Sequence, residues 1–236
     1  MASKENIGAI IFSRYDSSRL YGKALLDIEG RCLLGRVIDR AKLVKGVSKI
    51  IVATSNRKID DAIYRFALSE NITTFRGSSS DVFGRALDAC KKYKFDIFAR
   101  ICGDRPFLDY ELISDGIKII KKSNLDLVTT MFPRTYPPGL TTEIIKKELL
   151  ERFDKKVLNQ FDREHLTTFF YKNPHDIKIR NIENRNYQSM KNIRLVVDNQ
   201  DDLTRAKWIA RNLAIERNIK DNNSVIKLAL RYERLD

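Results

Sequence analysis

Apolar residues in this chain switch repeatedly from unbroken runs of a few residues to helical spacing, and that switching limits the fold to an α/β arrangement. The runs lie at 7–12, 49–53, 72–75 and 97–101 and are rich in Ile, Val and Phe, as strands buried in a parallel sheet are. Between them, Leu33, Leu34, Val37, Ile38, Ala41 and Leu43 recur on one face of a helix. So do Ile59, Ala62, Ile63, Phe66 and Ala67, then Val82, Ala86, Leu87 and Cys90. Helices there would be right-handed crossovers between parallel strands. Beyond residue 105 the pattern mixes. It predicts a helix over 110–122, strands over 125–131 and 140–145, and a helix capped by Asp162 and stopped by Pro174. A strand over 193–197 then leads to a helix carrying Leu203, Ala206, Ile209 and Leu213. No repeat or linker interrupts this order, so we expect one domain over residues 1–236 with a region inserted at about 130–180.

A chain of 236 residues can bury a core without disulfides or a structural metal. Cys32, Cys90 and Cys102 are far apart and lack CxxC spacing or nearby histidines, so they are expected as small buried apolar side chains. No stretch reaches the ~18 consecutive apolar residues of a membrane span. The run at 7–12 is too short for a signal-peptide core and Arg14 follows at once, which points to a cytoplasmic protein. The formal charge is +13, with the excess at the two ends. Residues 1–58 hold 12 cations against 5 anions and residues 146–236 hold 20 against 14, while residues 59–145 balance. No basic helix, basic arm or Lys/Arg run interleaved with aromatics is present, so nucleic acid is not an expected partner.

Three places can carry chemistry. The loop after the first strand, residues 13–23, holds Arg14, Arg19 and Lys23 with Ser13, Ser17 and Ser18. Each phosphate oxygen takes charge-assisted donors, so this composition suits a polyphosphate as well as a solvated turn. It is not a Walker A loop, because Gly22-Lys23 is followed by Ala24 and no glycine lies five residues upstream. Cys102-Gly103-Asp104-Arg105-Pro106 directly follows the run at 97–101, and Asp198 directly follows the apolar residues 193–197. Each aspartate alone also suits a helix cap; together, facing one basic loop, they are the skeleton of Mg²⁺-assisted phosphoryl transfer.

In order, these blocks resemble the cytidylyltransferases that activate acidic sugars, most nearly the spore-coat polysaccharide type. The loop Ser13-Arg14-Tyr15-Asp16-Ser17-Ser18-Arg19-Leu20-Tyr21-Gly22-Lys23 is similar to the family's first-loop pattern. Val52 to Ser55, Phe75 to Ser78 with Asp81, Val82 and Arg85, and Gly103-Asp104 with Pro106 also agree. So do Pro133 to Pro137 with Gly139 and Glu143, Arg163-Glu164-His165 with Thr167, and Arg194-Leu195 with Val197-Asp198. The resemblance implies a Rossmann-like (glycosyltransferase-A-like), mostly parallel sheet flanked by helices, with an inserted β-rich region for acceptor binding and dimerisation. It implies transfer of CMP from CTP to an anionic, sugar-like acceptor with release of pyrophosphate, Mg²⁺ on Asp104 and Asp198, and a homodimer. Arg14, Lys23 and Asp104 would be catalytic. Ser13, Ser17, Ser18, Arg19, Gly77, Arg85 and Gly103 would join Arg14 and Lys23 around the nucleotide, and Arg134, Glu143, Arg163 and His165 would meet the acceptor. The chain departs from the pattern at Phe12, Asp16, Tyr21, Gly84 and Thr141, where the family has Gln, Gly, Pro, Asp and Asp. Those departures leave two further expectations open: an unusual acceptor bearing phosphate or phosphonate, and a non-catalytic nucleotide-binding member. An added anion at Asp16 would repel phosphate unless Arg14 or Arg19 paired with it.

Overall fold

Alternate residues of the first strand, β1 (Ile7–Phe12), enter different cores: Ile7, Ala9 and Ile11 pack on one side and Ile10 on the other. The computed structural model describes residues 5–157, 159–216 and 220–235, so the expected 1–236 span extends outside the described residues. A small hairpin, β2 (Asp27–Ile28) and β3 (Arg31–Cys32), precedes helix α1 (Leu33–Ala41). Then follow β4 (Lys49–Ser55), α2 (Asp61–Ser69), β5 (Thr73–Gly77), α3 (Val82–Tyr93) and β6 (Ile97–Cys102). After α4 (Tyr110–Lys121) come β7 (Leu127–Thr129), β8 (Glu143–Lys146), α5 (Lys147–Phe153), α6 (Gln160–Glu164), α7 (Thr168–Lys172) and β9 (Ile179–Asn181). Helices α8 (Gln200–Ile215) and α9 (Asn222–Tyr232) close the order.

Seven strands form one sheet in the order β5-β4-β1-β6-β8-β7-β9. Every pairing in it is parallel except those of β8 with β6 and β7. This is the expected α/β, Rossmann-like sheet flanked by helices. Helices α1, α2 and α4 contribute to the first core and α3 and α5 to the second. A third core joins Leu195 and Val197 to α8 and α9. Because β1, β4, β5 and β6 run parallel, the loops that follow them open at one edge of the sheet, where ligands bind in such folds.

The structure differs from the pattern-based expectations in three places. Residues 193–197 form no strand. Leu195 N donates to Pro138 O and Val197 N to Asp104 O, two separate segments, so no ladder forms although the side chains are buried. The helix expected to run from Asp162 to Lys172 is two helices. Asn159, not Asp162, caps α6 by accepting from Asp162 N at 2.7 Å, and Leu166 takes φ 22° between α6 and α7. Between 130 and 180, where a β-rich insert is expected, β8 lies inside the sheet between β6 and β7, β9 begins at the sheet edge, and the described residues between them form three short α-helices. Of the cysteines only Cys90 is fully buried; Cys32 and Cys102 are half-buried, and all three are free. No helix of the described residues is long and apolar enough to cross a membrane.

Candidate active site

The loop after β1 is folded back on itself. Gly22 N donates to Tyr15 O at 3.0 Å, and Gly22 adopts φ 66°, a conformation that suits glycine. Tyr21 packs edge-on against Tyr15 with ring centroids 5.3 Å apart, so this departure from the family pattern stiffens the turn. The loop after β6 meets it closely. Gly103 N donates to Phe12 O at 2.8 Å, and a β-carbon on Gly103 would lie 2.8 Å from Ser13 Cβ. Glycine alone lets these two strand ends touch.

A cleft of about 600 Å³ opens there. Its lining includes Ser13, Arg14, Ser17, Ser18, Arg19, Lys23, Arg85, Gly103, Asp104, His165 and Asp198, so residues distant in sequence converge. The loop cations face carboxylates and carbonyls. Lys23 Nζ donates to Asp198 Oδ1 and Val197 O, both at 2.8 Å, and stands 3.5 Å from Asp104 Oδ2. Arg19 pairs with Asp198 Oδ2 at 3.1 Å, and Arg194 donates to the same oxygen at 2.8 Å. Arg14 spans Ser79 O and Glu164 Oε1, each at 3.1 Å. Burial works to raise the Asp198 carboxyl, but the hydrogen bonds and charges of Lys23 and Arg19 outweigh it and hold its pKa below the usual carboxylate value. It therefore stays an anion at neutral pH.

Arg85 is almost fully buried, donates from Nη1 to Ser78 O at 2.7 Å and lies 5.8 Å from the Phe12 ring centre. Burial, followed by the charge of Arg14, pushes it down to about 10. Among the described residues no carboxylate forms a salt bridge with it, so the cleft keeps an excess of positive charge suited to an anionic ligand. Asp16 does not spoil this. It pairs with Arg57 through two bonds of 2.6 Å, rather than with Arg14 or Arg19 as its neighbours in the loop suggested.

Four expected site residues do not line the cleft. Gly77 packs beneath the Arg85 side chain. Arg134 is exposed beside Met131. Arg163 ties Asp81, at 2.8 Å, to Asp154 and the carbonyl of Val157, each at 3.1 Å, and so braces the wall. Glu143 is buried, with one oxygen on Arg100 Nη1 and the other accepting from Tyr171 Oη at 2.6 Å. Burial raises its pKa, but the Arg100 charge and these hydrogen bonds outweigh that and keep Glu143 ionised. Arg100 does line the cleft, and nothing in the sequence reading singled it out. The available signal was a charged residue inside the apolar run Ile97-Phe98-Ala99-Arg100-Ile101, which a central strand tolerates only with a buried counter-charge.

The carboxylates suit a hard cation. Asp104 Oδ1 is sealed from solvent and has no hydrogen-bond partner among the described residues, while Asp104 Oδ2 and Asp198 Oδ1 converge on the Lys23 ammonium. Two carboxylates, with phosphate and water for the remaining positions, are the donor set Mg²⁺ uses. Among the described residues no group of three or more His, Cys, Asp or Glu is placed to hold a metal ion, in this cleft or elsewhere, so phosphate and water would have to complete the shell.

Residues 8–228 match the family model described as cytidylyltransferase. The chain is 36% identical to an uncharacterized protein of Methanocaldococcus jannaschii over 82% of its own length and 78% of that relative. It is 25% identical to a spore coat polysaccharide biosynthesis protein of Bacillus subtilis over 82% and 81%. A 3-deoxy-manno-octulosonate cytidylyltransferase of Escherichia coli is 33% identical over 46% and 45%. The solved structure of a cytidylyltransferase from Leptospira borgpetersenii superimposes with a TM-score of 0.85 at 28% identity, covering 94% of this chain and 97% of that one. Since the match begins within β1 and ends within α9, it takes in both the sheet and the cleft at its edge, and the chain belongs to the cytidylyltransferase family.

Proposed function

We propose that this protein transfers CMP from CTP to an acidic sugar or related anionic acceptor, releasing pyrophosphate, in surface-glycan biosynthesis. The observation that carries this reading is the meeting of Arg14, Arg19 and Lys23 with Asp104 and Asp198 in one cleft. Arg14, Arg19 and Lys23, with the hydroxyls of Ser13, Ser17 and Ser18, would hold the triphosphate and stabilise the departing pyrophosphate. Mg²⁺, held by Asp104 and Asp198, would offset charge on the non-bridging oxygens and lower the pKa of the acceptor hydroxyl. The acceptor oxygen then bonds to the α-phosphorus as the bond to the β-phosphate breaks. Arg85, which forms no salt bridge with a carboxylate among the described residues, would face the nucleotide. The reading also takes the protein as a cytoplasmic homodimer joined through residues 130–180, which sedimentation equilibrium would test.

His165 and Arg100 line the cleft, and the reading takes them as its acceptor side. An arginine fork suits a sugar carboxylate, and Glu143 and Tyr171 would position Arg100 from behind. Arg100→Met is expected to raise the acceptor KM by about 30-fold, the value of one charged hydrogen bond of roughly 2 kcal/mol, and to change the CTP KM less than about threefold. Arg100→Lys should fall between, because the charge remains but the fork is lost. Equal acceptor KM values in wild type and Arg100→Met would remove Arg100 from the acceptor site.

Pyrophosphate release tests the whole reading. CTP, UTP, ATP and GTP are each offered with 3-deoxy-manno-octulosonate, its 8-amino analogue, a nonulosonic acid, and phosphate- and phosphonate-bearing acceptors. The expected result is release from CTP with a carboxylate acceptor. Thermal stabilisation by Mg·CTP without release from any acceptor would show instead a nucleotide-binding protein without catalysis.

A further inference from the structure

Three oxygens surround the Lys23 ammonium: Val197 O and Asp198 Oδ1 at 2.8 Å and Asp104 Oδ2 at 3.5 Å. The side chain is 14% exposed, and its three donors match these three acceptors. The same two carboxylates are those that suit a divalent cation. Asp198 Oδ2 already carries Arg19 and Arg194. A second full charge beside Lys23 would therefore meet three cations around one aspartate, and the repulsion grows as the site is partly buried. A divalent ion and the Lys23 ammonium cannot both keep these oxygens. Lys23 can leave only for another anion, and a triphosphate with about four negative charges on the neighbouring loop is the partner of the right sign.

We infer that Lys23 holds the metal's place on these carboxylates in the nucleotide-free protein, and that the divalent cation enters with the nucleotide as one complex while Lys23 crosses from the carboxylates to phosphate. The inference rests on the proposed role of Asp104 and Asp198. It makes Lys23 the residue that couples the two ligands, because whatever draws it off the carboxylates favours the cation, and the cation in turn frees it for phosphate. A purely structural ion pair would give no such coupling.

Mn²⁺ titrated into the nucleotide-free full-length protein, with free Mn²⁺ read by electron paramagnetic resonance, tests it without any turnover. Lys23→Met is expected to bind one Mn²⁺ at least tenfold more tightly than wild type, and Lys23→Gln provides a second uncharged variant that can still hydrogen-bond Val197 O. Lys23→Arg keeps the charge and should stay within threefold of wild type. Arg19→Met, which removes one of the two guanidinium groups on Asp198 Oδ2 but leaves Arg194 there and Lys23 on Asp104 and Asp198 Oδ1, should gain less than Lys23→Met. Adding Asp104→Asn to Lys23→Met should abolish the tight site. Equal Mn²⁺ affinity in wild type and both uncharged variants overturns the inference while leaving the metal ligands in place. A double variant that binds as tightly as Lys23→Met overturns the assignment of Asp104 itself.

Discussion

Asparagine at position 104 is expected to cut CTP-dependent pyrophosphate release by about 10³-fold, or roughly 4 kcal/mol in activation free energy. The substitution removes charge with little change of shape. The contact that seats the closing segment uses the Asp104 main-chain carbonyl, which accepts from Val197 N at 2.9 Å and is untouched. Oδ1 has no hydrogen bond to lose, and the amide oxygen can still face Lys23. Unfolding stability should therefore stay within about 1 kcal/mol of wild type, as for most substitutions that break no buried network. The decisive pair of measurements is the initial rate of pyrophosphate formation and the thermal midpoint. An unchanged midpoint with the rate down as stated separates a charge requirement from misfolding. A rate within about threefold of wild type would take Asp104 out of the chemistry.

How far the sequence led depends on which force leaves a pattern in it. Strands β1, β4 and β6 were legible because a strand covered on both faces must be largely apolar, and the crossover helices because one face of each must be; β5, a half-buried edge strand of sequence Thr-Thr-Phe-Arg-Gly, was legible only by its place in that alternation. The loop cations Arg14, Arg19 and Lys23 and the carboxylates Asp104 and Asp198 were legible for a related reason, since polar residues directly after such runs fall at one edge of a parallel sheet. Burial without a ladder left no distinct mark. Residues Ile193, Leu195 and Val197 alternate as a strand does, yet their role is to fill the third core while the amides of Leu195 and Val197 bond to two different loops. Pairings between distant residues left none either. Asp16 looked like a misplaced anion until Arg57 stood beside it, and Arg163 looked like a ligand-binding cation although its partners are Asp81 and Asp154. Arg100 was hidden by its apolar neighbours, and Glu143, which neutralises it, lies opposite on β8.

The second large effect concerns the support of Asp198. Replacing Asp202 by alanine is expected to destabilise the protein by about 3 kcal/mol, the lower end of the range for breaking a buried ion pair, because its partners are partly exposed. Asp202 is 2% exposed and accepts from Arg194 Nε at 2.9 Å, Arg205 Nη1 at 2.8 Å and Asp198 N at 2.9 Å. Its loss takes one carboxylate from each of two guanidinium groups, leaving Arg194 only Asp198 and Arg205 only Glu233 at 3.2 Å among their salt bridges in the described residues, and removes the acceptor of the Asp198 amide. For a chain of this size the thermal midpoint should fall by roughly 6–12 °C. Burial acts to raise the Asp202 carboxyl, but the bonds from Arg194, Asp198 N and Arg205 outweigh it, so its pKa lies below the unfolded value of 3.8. A depressed carboxylate stabilises fully above the unfolded pKa and loses that contribution as pH falls through the folded one. Wild type should therefore lose stability below about pH 4, where Asp198 titrates in the same direction, and Asp202→Ala should lose less over the same interval. Urea unfolding at pH 7 and pH 3 measures both terms. A difference under about 1 kcal/mol at pH 7 would show that Asp202 contributes little, and that Lys23, Arg19 and Arg194 suffice to hold Asp198 in the cleft.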